Sequence, residues 1–313
     1  MVIALLVELG ARVGFHRASK IQHRFVTEYQ QAQAIATDRE TKHVLLVGNS
    51  LLLEGVVFDR LAEALATQHW DARRLVLERT FYHDWYYGLK QLLASGARPD
   101  VVVVMLTAKQ WIEHDSRGDF SAHYLVNAAD VLPLSRELSA HPTKTTNLLL
   151  AHYSRFWASR AELRNFWVKF LVPDMNRLVD LFTSTLEAER RPLAVEDVVP
   201  LARVRVARLR DLLDGYGARL VILVPPTLVR TGQGEGWLGL MRAAETLGVP
   251  ALKPFDSATF GPGVFRDSGF HLNTEGATLY TKLLAHDLER VLATITARHM
   301  HAAGDSSVAD RRP

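Results

Sequence analysis

The sequence predicts an α/β domain with a mostly parallel sheet and a helical insertion. Three features predict it. Short apolar runs, such as residues 101–106 and, with Arg219 as the one charged residue, 218–224, suit strands buried on both faces. Between them, apolar residues recur at three- and four-residue spacing, as on helices packed against a sheet. From about residue 119 to 200 the strand signals fade, which marks the insertion.

Taken in order, residues 2–9 read Val-Ile-Ala-Leu-Leu-Val-Glu-Leu, followed by Gly10, Arg12, His16, Arg17 and Lys20. A bilayer span needs roughly 20 apolar residues, so this run is too short to cross one alone. Two readings stay open: an amphipathic helix entering the domain, or the closing part of a longer membrane anchor. Residues 20–42 are polar and rich in Gln, Thr and Ala, and read as a helical stalk. Residues 1–42 therefore form one unit, and residues 43–297 the α/β domain.

Within that domain, residues 43–48 form a short apolar strand ending in glycine. A helix follows at 58–68, with Leu61, Ala64 and Leu65 on one face. A second strand is expected at 74–78. The next helix, 84–95, places Trp85, Leu89, Leu92 and Leu93 together. After a turn at Pro99, residues 101–106 make the clearest central strand. The insertion mixes charged residues with Tyr124, Tyr153, Phe156, Trp157, Phe166, Trp167 and Phe170, and breaks are expected near Pro133, Pro142 and Pro173. The alternation then resumes: a helix at 198–216, a strand at 218–224, a helix at 237–247 and a short strand at 249–252. The closing helix, 276–296, turns Leu279, Leu283, Leu284, Leu288, Val291 and Leu292 inward. Residues 298–313 are expected to be a disordered tail.

Composition narrows the function. Across 313 residues, 48% are hydrophobic and 23% charged, which is ordinary for a globular chain. The 37 basic and 34 acidic residues leave a formal charge of only +3, and no basic run interleaves with aromatics, so no nucleic-acid partner is expected. Cysteine is absent, which removes thiolate catalysis, cysteine metal sites and disulfides. His69, His83, His114 and His123 lack ligand spacing with acids, and His299 and His301 lie in the tail, so no metal is expected. Gly232, Gly234 and Gly236 alternate outside any strand–turn–helix setting, which argues against a dinucleotide cofactor. They read as a mobile loop near the carboxyl edge of the sheet. No cofactor is expected.

Two segments carry chemistry. Gly48-Asn-Ser-Leu51 follows the first strand, at the sheet edge where functional residues gather. Glycine permits a sharp turn, and Ser50 then begins the next helix, near backbone N–H groups able to hold an oxyanion. Taken alone, this serine reads more simply as a helix N-cap. The second segment, Arg266-Asp-Ser-Gly-Phe-His-Leu-Asn-Thr-Glu-Gly276, precedes the last helix. It sets Asp267 four residues before His271, as an orienting acid stands to its base in a serine hydrolase.

Together the two segments resemble the first and last blocks of the SGNH (GDS-L) hydrolases, with Asn49 in place of the usual aspartate. The resemblance spans roughly residues 43–295 and is specific only at its two ends. It implies a flavodoxin-like three-layer sandwich, with Ser50 as nucleophile, His271 as base and Asp267 orienting the ring. Asp267 stands one residue further from His271 than is common in the family. The middle blocks also depart from the pattern. Where the family offers a glycine N–H, residues 79–82 read Arg-Thr-Phe-Tyr, leaving the Thr80 N–H as donor beside that of Ser50. Where it offers asparagine, Lys109 and Gln110 stand instead. Membrane-anchored members of this type act on O-acyl groups of polysaccharides or envelope polymers. The resemblance therefore implies an esterase or O-acyltransferase, tethered outside the cytoplasm, with an acyl ester as its partner. The alternative is an inactive envelope protein that binds a polymer or protein partner. Without the anchor, a cytoplasmic location would be expected.

Overall fold

The computed structural model describes residues 8–15, 19–36, 41–171, 192–228, 234–256, 260–266 and 269–309. Its strands are β1 (Lys42–Gly48), β2 (Trp70–Val76), β3 (Val101–Met105), β4 (Arg219–Leu223) and β5 (Ala251–Leu252). All pair in parallel, in the order β2-β1-β3-β4-β5. This is the flavodoxin-like order, in which the winding reverses between β1 and β3 and opens a crevice at their carboxyl ends.

The first half of the chain supplies α1 (Lys20–Gln33), α2 (Ser50–Gly55), α3 (Phe58–Ala66), α4 (Tyr82–Ala94) and α5 (Ala108–Ile112). The inserted block supplies α6 (Asp119–Tyr124), α7 (Val131–Glu137), α8 (Pro142–Tyr153) and α9 (Arg155–Leu171). Helices α10 (Val195–Asp214), α11 (Gly236–Glu245) and α12 (Thr274–Ala309) follow. Side chains alternate across a strand, so the apolar runs feed two cores. Leu45, Val47, Val102, Val104 and Ile222 pack with Trp85, Leu89, Val206 and Leu240. Val44, Leu46, Val103 and Val221 pack with Leu51, Leu61, Leu284 and Leu288 on the other face. The result is a three-layer sandwich. Leu125, Leu134, Leu148 and Ala158 of the inserted block join the first of these cores, so the described part of the block shares the core of the sheet.

Several elements differ from expectation. Strand β2 begins at Trp70, not residue 74, although Asp71, Arg73 and Arg74 interrupt its apolar pattern. It is an edge strand, where charged side chains are tolerated. The expected stalk is helical over α1, but it lies on the domain rather than standing away from it. Gln22, Phe25, Glu28 and Ala32 are buried. The Glu28 carboxylate accepts from the Val76 N–H at 2.9 Å and from Arg74 Nε at 2.8 Å, closing part of the exposed edge of β2. Burial raises the Glu28 pKa against these two bonds.

Pro133 does not break the insertion but sits in the first turn of α7, where its missing N–H has no helical partner to lose. Pro142 opens α8, while Pro173 lies outside the described residues. Helix α12 continues to Ala309, so residues 298–309 are helical and not the expected disordered tail. Ala297, Ala302 and Ala303 favour helix there, and no proline intervenes before Pro313. Among the described residues, no helix is long and apolar enough to cross a membrane. Residues 1–7, which hold most of the expected anchor segment, lie outside them.

Candidate active site

The site forms at the end of β1. A Cβ added at Gly48 would lie 2.9 Å from the Met105 carbonyl oxygen and 3.0 Å from Leu52 Cβ, so only glycine lets β1 pass this close to β3 and α2. Asn49 follows in extended conformation and is buried. Its Oδ1 accepts from the Leu51 N–H at 3.1 Å, and its Nδ2 donates to the Thr80 carbonyl at 3.3 Å. The N-cap of α2 is therefore Asn49. The simpler reading of Ser50 as the cap is overturned, because a neighbouring side chain already makes that bond.

The Ser50 hydroxyl instead lies 3.1 Å from His271 Nε2. The two residues are 221 positions apart in sequence. With the ring proton on Nδ1, Nε2 accepts the serine O–H, the arrangement a general base requires. Ser50 and His271 are both partly exposed, so a substrate can reach them.

The segment carrying His271 is pinned at several points. Phe265 and Leu272 form an antiparallel bridge, and the Arg266 N–H donates to the His271 carbonyl at 2.9 Å. Asn273 Nδ2 donates to the Gly263 carbonyl at 2.7 Å, and its Oδ1 accepts from the Gly276 N–H at 2.9 Å, which ties the segment to the start of α12. Gly269 has φ of 101°, and a Cβ there would come 2.7 Å from Leu228. Arg266 also forms an ion pair with Glu54, four residues after Ser50 on α2. Asp267 lies outside the described residues.

The middle segments are used differently. Thr80 is fully buried; its hydroxyl donates to the Leu77 carbonyl at 2.7 Å and accepts from Trp85 Nε1 at 3.0 Å. Its side chain is thus committed to structure, leaving only its backbone N–H as a donor to substrate. Arg79, just before it, takes φ of 60°, a left-handed conformation that costs a non-glycine residue roughly 1 kcal/mol or more. The turn is held beyond it by Asp84, which accepts from the Phe81 N–H at 2.8 Å and from the Arg117 N–H at 3.1 Å.

After β3, Gln110 Oε1 accepts from the Thr107 N–H at 2.9 Å, and Thr107 Oγ1 accepts from the Gln110 N–H at 3.3 Å, a reciprocal cap on α5. Lys109 is partly exposed, and its ammonium has no hydrogen-bond or ion-pair partner among the described residues. Gly48 pairs with Met105 in the β1–β3 register, so the loop bearing Lys109 neighbours the one bearing Ser50.

Sequence reasoning missed three contributors: the capping role of Asn49, the Arg266–Glu54 pair and the left-handed turn at Arg79. Asn49 was recoverable, since asparagine caps helices as well as serine does. The ion pair joins residues 212 apart, and no local pattern announces it. The alternating glycines also read differently in the fold. Gly232 lies outside the described residues, but Gly234 and Gly236 pack against Leu193 at the approach to α10. Their freedom from side chains permits close packing there, while residues 229–233 of the expected loop lie outside the described residues. Among the described residues, no three His, Asp or Glu side chains gather as metal ligands. A groove between α3 and α12, lined by Arg60, Ala64, Leu279 and Lys282, includes neither Ser50 nor His271.

No family model and no curated protein matches the chain. Solved structures similar to it include the crystal structure of TesA, with a TM-score of 0.39 and 12% identity over 78% of this chain and 96% of that one. Another is a Slackia heliotrinireducens protein described as "a putative SGNH hydrolase", with a TM-score of 0.39 and 14% identity over 79% of this chain and 98% of that one. Neither adds to what the strand order and the Ser50–His271 pair establish by themselves.

Proposed function

We propose that this protein is an SGNH-like serine esterase or O-acyltransferase. The observation that carries the proposal is the 3.1 Å approach of Ser50 Oγ to His271 Nε2, at the carboxyl edge of a flavodoxin-like sheet. In the proposed reaction, Oγ attacks the carbonyl carbon of an ester while Nε2 takes the hydroxyl proton. The tetrahedral oxyanion is held by the Ser50 and Thr80 N–H groups, with Lys109 supplying positive charge. Collapse breaks the bond to the leaving alkoxide, which takes the proton from Nε2 and departs as an alcohol. A second hydroxyl, from water or a sugar, then resolves the acyl-serine by the same steps in reverse. Asp267 is assigned the role of orienting the ring. The proposed substrate is a small acyl ester, such as an O-acylated polysaccharide at the cell envelope, with the chain tethered to the membrane at its amino terminus.

Labelling with a serine-directed fluorophosphonate, followed by mass spectrometry of the modified peptide, tests this reading. Labelling at Ser50 that is lost in His271→Ala supports it; no labelling, with no turnover across a panel of esters, defeats it. A second reading has its own observation. The Thr80 hydroxyl already donates to the Leu77 carbonyl, so the segment after β2 has no side-chain donor at Thr80 to give. On that reading the fold is an inactive envelope protein that binds a polymer or protein partner.

A further inference from the structure

Two loops flank the one that carries Ser50. Gly48 pairs with Val76 of β2 on one side and with Met105 of β3 on the other, so residues 77–81 and 106–110 leave the sheet on either side of Ser50. The loop after β2 is bonded directly to the loop after β1. The Leu77 N–H donates to the Gly48 carbonyl at 3.0 Å, and Asn49 Nδ2 donates to the Thr80 carbonyl at 3.3 Å. Arg79 is thus adjacent to the residue whose carbonyl holds Asn49, itself next to Ser50.

Arg79 stands out in two respects. Its φ of 60° is a conformation that glycine adopts without strain and a long side chain does not. Its guanidinium is exposed and makes no hydrogen bond or ion pair among the described residues. Backbone strain of this kind gathers at functional sites, where the side chain it presents has a use. The carboxylates around this loop are engaged elsewhere. Glu78 accepts from Arg24 at 2.6 Å and pairs with Arg117 at 3.6 Å. Asp84 is buried against the Phe81 and Arg117 N–H groups. Glu162, which reaches the loop from α9, accepts from Arg117 at 3.1 Å.

Across the site, the Lys109 ammonium and the Gln110 amide nitrogen also lack a partner, and Glu113 at the end of α5 forms no ion pair with Lys109. The loops on both sides of Ser50 therefore offer donors, two of them charged, to which no described carboxylate is bonded. A neutral ester uses the backbone N–H groups and one cation at its oxyanion, and it leaves Arg79 nothing to hold. A guanidinium fork matches a carboxylate or a phosphate through paired N–H bonds.

We infer, on the esterase reading of Ser50 and His271, that Arg79 selects substrates carrying an acidic group, a carboxylate or a phosphate, beside the ester. The test measures turnover by the full-length protein of three acetyl esters of matched size: one neutral, one bearing a carboxylate and one bearing a phosphate. At least one acidic ester is expected to show a higher kcat/KM than the neutral one, with an advantage that shrinks as salt rises. The two acidic arms show which group the site takes. Arg79→Gln should cut that advantage about tenfold, mainly through KM, because the contact is made before and during the reaction alike. Arg79→Lys should keep part of it, as a point charge without the fork. Arg79→Gly should lose it while the urea midpoint holds or rises, since glycine relieves the left-handed strain; this separates loss of the contact from loss of the fold. No advantage for either acidic ester in the wild type would overturn the inference and leave the Ser50 assignment standing. An equal fall for all three esters in Arg79→Gln would also overturn it, by giving Arg79 a purely structural role. No turnover of any ester, with no fluorophosphonate labelling of Ser50, would remove the esterase reading and this inference with it.

Discussion

The loop after β1 and the loops after β2 and β3 treat similar polar side chains in opposite ways. After β1, Asn49 makes the capping bond and the bond to the Thr80 carbonyl, so the Ser50 hydroxyl is left for His271. After β2, the Thr80 hydroxyl is buried between the Leu77 carbonyl and the Trp85 indole. After β3, the Gln110 carbonyl closes a helix cap. A side chain at a sheet edge becomes available for chemistry only when a neighbour has taken over its structural bonds. Asn49 does this for Ser50, and nothing does it for Thr80 or Gln110. The Lys109 ammonium, like the Arg79 guanidinium and the Gln110 amide nitrogen, makes no hydrogen bond or ion pair among the described residues.

The largest expected effect would break the comparison at its reactive end. Ser50→Ala and His271→Ala should each lower turnover of a small acetyl ester by about four orders of magnitude, and the double variant should be little worse than either. Activity surviving Ser50→Ala would remove the nucleophile assignment. Asp267→Asn should be milder, because Asp267 stands one residue further from His271 in sequence than the family spacing.

Lys109→Ala tests the cation after β3. It should lower turnover about a hundredfold while leaving the urea midpoint unchanged, as removal of an oxyanion donor does. Unaltered turnover would leave the oxyanion to backbone N–H groups. Asn49→Ala should affect both measures. Loss of the cap should cost about 1 kcal/mol in urea unfolding. Turnover should also fall, since Ser50 would lose the neighbour that frees it. Gln110→Ala should reverse the Lys109 pattern, with about 1 kcal/mol lost from the cap and turnover nearly intact.

The smallest effect sharpens the structural role of the β2 loop through pH. Asp84 is fully buried, and burial pushes its pKa up to about 6 against the bonds from the Phe81 and Arg117 N–H groups. The folded state thus holds this proton more tightly than the unfolded chain, where the value is near 3.8. The resulting stability is fully present below about pH 4 and is lost as pH rises through 6. Urea midpoints measured across that window should fall in the wild type and change less in Asp84→Asn. Equal slopes would show that another group governs the window.

The sheet was legible because its strands are local statements. Runs such as residues 101–106 and 220–224 are apolar throughout, and that pattern survives any change in the partners they pair with. Strand β2 was less legible because an edge strand needs only one covered side, which lets Asp71, Arg73 and Arg74 intrude. Helix α1 shows the same limit. Its helical character could be read from residues 20–33, but its seat on β2 depends on Glu28 meeting Arg74 and the Val76 N–H.

Sequence by itself determined the alternation of strands and helices, the absence of cysteine chemistry, and the two segments holding Ser50 and His271. These follow from residue type and short-range spacing. Only the tertiary structure decided that Asn49 and not Ser50 caps α2, that the Thr80 hydroxyl and the Gln110 carbonyl are committed while the Lys109 ammonium is not, and that Arg266 joins the histidine segment to Glu54. Each of those outcomes is a competition for hydrogen bonds or charge among groups that become neighbours only when the chain folds. Spacing along a sequence carries no record of which of them wins.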